Sequence, residues 1–348
     1  MAKAIALFSG GLDSTLAILA LLKQGVDVTA ITFLNNFGCN IGDKSSCSKD
    51  PFSASIKFGF QVKLAHLSGS FIEIVKNPKF GHGRNMNPCI DCRILMLKEA
   101  KEMMRMTGAD FLITGEVLGQ RPMSQRRDTF PLIDREADVA GYVLRPLSAK
   151  HMKPTIPEEK GIVNRELLYD FSGRSRKPQM ALAKEFGLTD YAAPAGGCLL
   201  TDPIYAYRLK ELLKHCNNPD YTDINLLRLG RHFRLADRCK VIVGRDSEEN
   251  QEMLSIAGAE DWKMKVIAYG SPITVIRGNF DNEALSLAAS LCARYSDGKH
   301  LPEIDVTVFR NDEHFILKAK PADNKTIEFY RIEKKTADTC HVSELLKN

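Results

Sequence analysis

Ser9-Gly10-Gly11-Leu12-Asp13-Ser14 stands between a short apolar run, Ala4–Phe8, and a segment rich in Leu and Ala, Ser14–Lys23. An apolar run closed by two glycines reads as a buried strand entering a tight turn, and the segment beyond it as the helix that leaves that turn. Val26–Phe33, enriched in Val, Thr and Ile, follows as a second strand. Strand, helix and strand in this order predict an α/β fold built on a parallel sheet.

The turn itself carries chemistry. Two glycines let the backbone bend sharply and bring its amides against an anion, and the first amides of the following helix add the positive end of its dipole. Ser9 and Ser14 offer hydroxyl donors, and Asp13 can orient Mg²⁺ or an attacking group. The segment lacks the Gly-Lys-Ser/Thr ending of the Walker loop. Ligand-free turns use the same residue types, but the placement between a first strand and a first helix favours a phosphate site.

Further along, Gly38–Ser53 is polar and reads as a loop, Ala54–Phe58 as a helix end, and Gln61–His66 as a strand. Beyond a loop around Gly81–Pro88, Asp91–Thr107 has a long helical pattern, and Asp110–Thr114 is an apolar strand ending in Gly115-Glu116. Tyr142–Arg145 reads as a short strand, Thr155-Ile156-Pro157-Glu158 as a capped helix start, and Met180–Phe186 and Tyr205–His215 as helices. Asn217-Asn218-Pro219-Asp220 is the linker candidate, giving domains over residues 1–216 and 220–348. In the second, smaller α+β domain, Lys240–Gly244, Met264–Ala268, Ile273–Arg277, Asp305–Phe309, His314–Ala319 and Thr326–Ile332 read as strands and Glu283–Tyr295 as an amphipathic helix.

With 348 residues, 44% hydrophobic and 26% charged, the chain can bury more than one core. No apolar run reaches the roughly 18–20 residues a membrane span needs, and Ala4–Phe8 is too short for a signal-peptide core. The expectation is a cytoplasmic protein with no membrane partner. A net charge of +5 names no partner by itself, but cations cluster at Arg121, Arg126 and Arg127, at Arg174, Arg176 and Lys177, and at Arg228, Arg231, Arg234, Arg238, Lys240 and Arg245. Three such clusters beside a nucleotide loop point to RNA.

Nine cysteines in a chain without a secretion signal point to metal or redox chemistry rather than a disulfide framework. Asn87-Pro88-Cys89-Ile90-Asp91-Cys92 places a C-x-x-C at the mouth of a helix, where two sulfurs can bind a metal, ligate a cluster or act as a redox pair. Cys198 closes Pro194-Ala195-Gly196-Gly197-Cys198. Cys39 and Cys47 could complete a four-cysteine zinc site with Cys89 and Cys92. Cys216, Cys239, Cys292 and Cys340 read as incidental thiols.

The Ser9–Ser14 segment closely resembles the PP-loop of the ATP pyrophosphatases, which implies a Rossmann-like fold of the adenine nucleotide α-hydrolase kind and cleavage of ATP between its α- and β-phosphates. The PP-loop, Asn-Pro-Cys-x-x-Cys and a distant third cysteine together look like the tRNA-thiolating branch, the 2-thiouridine and 4-thiouridine synthetases. Thr114-Gly115-Glu116-Val117-Leu118-Gly119-Gln120 with Ser124-Gln125 is similar to a stretch of the 4-thiouridine synthetases. Ser172–Arg176 and Ala195–Pro203 look like a bacterial subgroup of thiouridylases, and Gly230–Asn250 resembles a small RNA-binding domain related to one in the NFACT proteins.

The resemblance implies an ATP-dependent tRNA sulfurtransferase that adenylates a uridine carbonyl and replaces its oxygen with sulfur. The nucleotide, with Mg²⁺, is then expected on Ser9, Gly10, Gly11, Leu12, Asp13 and Ser14, at Phe33 near an adenine site over Ala30–Phe33, and at Gly115 and Glu116. Asp13, Cys89 and Cys198 are the catalytic candidates. Cys89, Cys92 and Cys198 would hold three irons of a [4Fe–4S] cluster, or Cys198 would carry a persulfide that a C-x-x-C thiol resolves; the presence of all three favours the cluster. Sulfide or a persulfide carrier would be the sulfur donor. Arg174, Arg176, Arg228, Arg231, Arg234, Lys240 and Arg245 are the candidates for tRNA contact. The N-terminal RNA-binding extension and rhodanese domain of some 4-thiouridine synthetases are not expected, since the loop begins at Ser9, and a homodimer is compatible with this reading. The alternatives are a PP-loop ligase of the amidating or deazaguanine type, which the four-cysteine zinc site would favour, and an RNA-binding protein that holds nucleotide without turnover.

Overall fold

The computed structural model describes residues 1–35, 37, 51–191 and 198–333. The chain divides into two compact units, Met1–Leu199 and Leu200–Asn348.

In the first unit the strands β1 (Lys3–Leu7), β2 (Asp27–Leu34), β3 (Gln61–His66), β4 (Phe111–Thr114) and β5 (Val143–Leu144) form a parallel sheet in the order β3-β2-β1-β4-β5. The expected α/β architecture is therefore present. β1 shows why its residues read as an uninterrupted apolar run: a strand covered on both faces needs apolar side chains at every position. Ala4 and Ala6 turn to one core with α1 (Leu12–Leu22), whereas Ile5 and Leu7 turn to a second. Between β2 and β4 come α2 (Pro51–Phe58), α3 (Ser68–Lys76) and α4 (Cys89–Thr107). After β4 lie α5 (Thr129–Glu136), α6 (Ile156–Glu159) and α7 (Lys177–Glu185), with α7 packed on α1 through Leu182 and Ala183. Thr155 and Glu158 make the reciprocal capping box that starts α6. The strand order reverses on either side of β1, so the carboxyl ends of β1 and β4 open onto a topological switch point, where α/β sheets bind ligands.

The second unit starts with α8 (Pro203–His215) and α9 (Tyr221–Leu226). The boundary thus falls ahead of Asn217–Asp220, because Arg208 of α8 donates to the carbonyls of Leu227 and Gly230 and ties that helix to the second unit. Strands β6 (Arg231–Ala236), β7 (Cys239–Val243), β8 (Trp262–Val266), β9 (Thr274–Gly278), β10 (Ile304–Arg310) and β11 (Glu313–Ala319) make an antiparallel sheet in the order β11-β10-β8-β9-β7-β6. Helix α10 (Ser247–Ile256) lies between β7 and β8, and α11 (Asn282–Arg294) packs against the sheet with Ala288, Ala289 and Cys292 buried. Thr326–Ile332, expected as a strand, is instead the helix α12 (Asn324–Tyr330), started by Asp323, whose carboxylate accepts from Thr326 N at 2.8 Å.

Candidate active site

The phosphate loop leaves β1 through Gly10, whose φ of 71° is a left-handed conformation that glycine adopts without a Cβ clash. Ser9 Oγ and Ser14 Oγ lie 3.2 Å apart, and Ser14 Oγ donates to the Gly11 carbonyl at 2.9 Å. Gly11 is the N-cap of α1, and no side chain caps that helix start, which leaves its first amides for an anion. Gly115, just past β4, presses on the same spot: a Cβ there would lie 2.5 Å from Ser14 Cα and 2.6 Å from the Asp13 carbonyl carbon. The Gly115 expectation thus acquires a steric reason. Asp13 Oδ2 accepts from Gln120 Nε2 at 3.0 Å, whereas its buried Oδ1 has no hydrogen-bond partner. Burial raises the Asp13 pKa, opposed by the Gln120 hydrogen bond and by the charges of Arg176 and Arg121. Phe33, on β2, is half-buried against the Ile5–Leu7 core, and the neighbouring Thr32 has a buried, unpartnered Oγ1.

Glu116 is only 2% exposed and is surrounded by arginines rather than turned to solvent. Arg145 Nε donates to its Oε2 at 3.0 Å, Thr114 Oγ1 to the same oxygen at 3.1 Å, and Arg93 Nε lies 3.1 Å from Oε1. Arg145 also makes two bonds to Asp134, at 2.9 and 2.7 Å, and stacks 4.2 Å over the Phe130 ring. Burial acts to raise the Glu116 pKa, but Arg93 and Arg145 outweigh it and hold the carboxyl below its ordinary range. The chain of pairs joins α4, which carries the C-x-x-C, to the end of β4 and to α5.

Cys89 and Cys92 occupy the first turn of α4, and the loop before it is fixed by Asp91, which accepts from Lys79 N at 2.9 Å and Phe80 N at 3.1 Å. Cys198 Sγ lies 3.5 Å from the Phe37 carbonyl. Burial pushes the Cys92 thiol up to about 12, and the charges of Cys198 and Cys89 add to that. Among the described residues no three metal-binding side chains converge on a point. The donor chemistry of the trio suits a cluster, but its placement does not gather the thiols into a ligand set. Cys39, Cys47 and Cys340 lie outside the described residues, whereas Cys239 and Cys292 are buried as expected of incidental thiols.

The cationic candidates separate into two kinds. Leu118 bridges Ser172 and its carbonyl accepts from Gly173 N at 2.7 Å, which brings Arg174–Arg176 alongside the Leu118–Arg121 stretch. Arg174 is exposed there, whereas Arg176 and Arg121 act on Asp13. In the second unit the charges are answered within the domain: Arg234 is bidentate to Glu211 at 2.7 and 3.0 Å, and Arg245 Nε bonds Glu249 at 2.8 Å. Arg231 donates to the Gly244 carbonyl at 2.9 Å and stacks on Tyr295, Arg228 is half-buried, and Lys240 is 5% exposed with no hydrogen bond to its Nζ. Sequence reading did not single out Arg93, Arg145 or Gln179. Arg93 follows Cys92 directly and Arg145 follows β5, but nothing local says which acid each will meet.

Residues 1–160 match the family model described as thiamine biosynthesis protein (ThiI), and residues 230–331 that of the NFACT protein RNA binding domain. A probable tRNA sulfurtransferase of Thermococcus kodakarensis is 27% identical over 42% of this chain and 36% of its own length. A tRNA-specific 2-thiouridylase MnmA of Symbiobacterium thermophilum is 26% identical over 58% of this chain and 54% of its own. The chain thus spans about a third to a half of these relatives. A solved 4-thiouridine synthetase–RNA complex with bound ATP overlaps 54% of each chain at 22% identity and a TM-score of 0.35. No helix among the described residues is long and apolar enough to cross a membrane. Over residues 1–160 the chain is thus similar to the ThiI family, and over residues 230–331 to the NFACT-type RNA-binding domain.

Proposed function

We propose that the protein is an ATP-dependent tRNA sulfurtransferase of the cytoplasm. The observation that carries this reading is that Gly115 lies against the Ser14 backbone while the next residue, Glu116, pairs with Arg93 of α4 at 3.1 Å, one position from Cys92, so the phosphate loop and the C-x-x-C helix meet at the end of β4. The uridine carbonyl oxygen attacks the α-phosphorus of ATP, and the bond to the β-phosphate breaks. The uncapped amides of α1, with Ser9 and Ser14, hold the departing pyrophosphate, and Asp13 would hold Mg²⁺, whose charge would stabilise the phosphates. A sulfur nucleophile adds at the activated carbon, and AMP leaves with the former carbonyl oxygen.

Iron and acid-labile sulfide content decide between two sulfur carriers on the same thiols, a [4Fe–4S] cluster on Cys89, Cys92 and Cys198 or a persulfide on Cys198 resolved by Cys89 or Cys92. The presence of all three thiols favours the cluster, whereas the persulfide needs only Cys198 and one resolving thiol. With tRNA, ATP, Mg²⁺, a dithiol reductant and sulfur supplied either as sulfide, for a cluster, or as a carrier persulfide whose outer sulfur passes to Cys198, nucleoside mass spectrometry is expected to show one oxygen-for-sulfur exchange, with AMP and pyrophosphate formed in step. ATP cleavage without that exchange would sink the thiolation reading, and unchanged exchange in Cys198→Ala would remove Cys198 from the chemistry.

A further inference from the structure

Gln179, on α7, is fully buried, yet neither its Nε2 nor its Oε1 has a hydrogen-bond partner. A glutamine enclosed by protein with both amide atoms open is a rare arrangement, because folded chains pair nearly all their buried polar atoms. Its neighbours show what the amide faces. Its amide lies near enough to the Asp13 carboxyl to act on it as a weak hydrogen-bond donor that lowers its pKa, but makes no bond of ordinary geometry, and Asp13 Oδ1 is likewise buried without one. Arg176, three positions earlier and hence on the same side of the chain as it enters the helix, directs its charge to the same carboxylate, as does Arg121. The Gln179 amide, Asp13 Oδ1 and the uncapped amides of α1, none in a bond of ordinary geometry, together with two cations acting on Asp13, would suit a bound anion, with Asp13 able to hold a metal ion beside it.

We infer that Gln179 and Arg176 belong to the nucleotide site, where the Gln179 amide donates to the polyphosphate end of ATP and Arg176 balances its charge. This assignment rests on the proposed use of ATP and takes Arg176 away from the RNA surface, leaving Arg174 as the exposed cation of that segment. Gln179 is thereby a specificity residue for the β- and γ-phosphates: AMP, which lacks them, does not reach it.

Calorimetric titration of the whole chain with MgATP and with AMP, in the absence of RNA, tests this alongside thermal unfolding of the unliganded protein. Gln179→Leu keeps the volume and removes the unpaired amide, so its unliganded midpoint is expected to match or exceed that of the wild type. Its ATP affinity is expected to fall about tenfold or more, the worth of one hydrogen bond to a charged group, with AMP affinity held within about twofold. Arg176→Gln, at a half-buried position, is expected to show the same selective loss and carries the test should the leucine variant fail to fold. Lys184→Ala, exposed near the other end of α7, should change neither ligand. ATP affinity within twofold of wild type in both variants overturns the inference, as does a parallel loss of ATP and AMP with a lowered midpoint, the mark of a purely structural role. A wild-type protein that binds neither nucleotide fails at the level of the ATP reading itself.

Discussion

Asp13 carries a buried carboxylate with one oxygen unanswered, an arrangement that costs stability in the unliganded protein and serves only when a cation arrives. Its pKa is raised by burial, so between its unfolded and folded values the folded state holds more protons than the unfolded one. Stability therefore falls as pH rises through that window. Asp13→Asn should raise the unfolding midpoint at neutral pH while cutting pyrophosphate release about 100-fold or more; a lowered midpoint in calorimetry would contradict this account. Glu116 works in the opposite sense. Its folded pKa is lowered by Arg93 and Arg145, so its contribution is complete above the unfolded value and lost as pH falls through the folded one. Glu116→Ala leaves half-buried Arg93 without its acid and Arg145 with Asp134 alone, and should cost about 3–5 kcal/mol in denaturant unfolding at neutral pH, with the acid limb of the stability profile flattened. Ser9–Ser14 was legible because a glycine turn between strand and helix is local chemistry. The partners of Arg93, Arg145 and Gln179 were not, since each is brought in by the sheet from far along the chain.

At the scale of elements, β4 is positioned by what its last residues can approach. Gly115 sits where any side chain would strike backbone, the Ser14 Cα and N at 2.5 Å, and backbone cannot turn aside as a flexible side chain can. Gly115→Ala should displace the start of α1, lower the unfolding midpoint by an amount equivalent to about 1–3 kcal/mol and weaken ATP binding together with it. Loss of midpoint with full ATP affinity would show that the loop does not depend on this contact. The strands of the first unit were readable to within a residue or two because β1 and β4 are apolar on both faces, and α1 because it is buried almost throughout, whereas α3 and α5 were not read. Where the reading failed, two local signals competed. Thr326–Ile332 alternates like a strand, but Asp323 caps a helix there, and the cap prevails. β6 was missed because Arg231 and Arg234 break its apolar pattern, and their charges are answered by Gly244, Tyr295, Glu211 and the Asp237 carbonyl.

At the scale of the whole chain, the cations that drew attention to RNA differ in whether solvent reaches them. Counting Lys and Arg along the chain cannot distinguish Arg174, which is exposed, from Lys240, whose ammonium is enclosed 3.9 Å from Glu211. A phosphate contact needs a cation that can exchange counterions with solvent, and an enclosed ammonium cannot. Burial depresses the Lys240 pKa to about 8, with Glu211 opposing the shift. From about 8 up to the ordinary lysine value of 10.5 the folded state holds fewer protons than the unfolded one, so stability climbs as pH rises through that range. Lys240→Met removes the buried charge while Arg234 continues to pair with Glu211. The variant should therefore lose the alkaline rise in unfolding midpoint and bind tRNA within about twofold of wild type, with an unchanged slope of affinity against salt. A tenfold loss of tRNA affinity with a shallower salt slope would place Lys240 on phosphate, and would mean that the sheet around β7 opens when RNA binds.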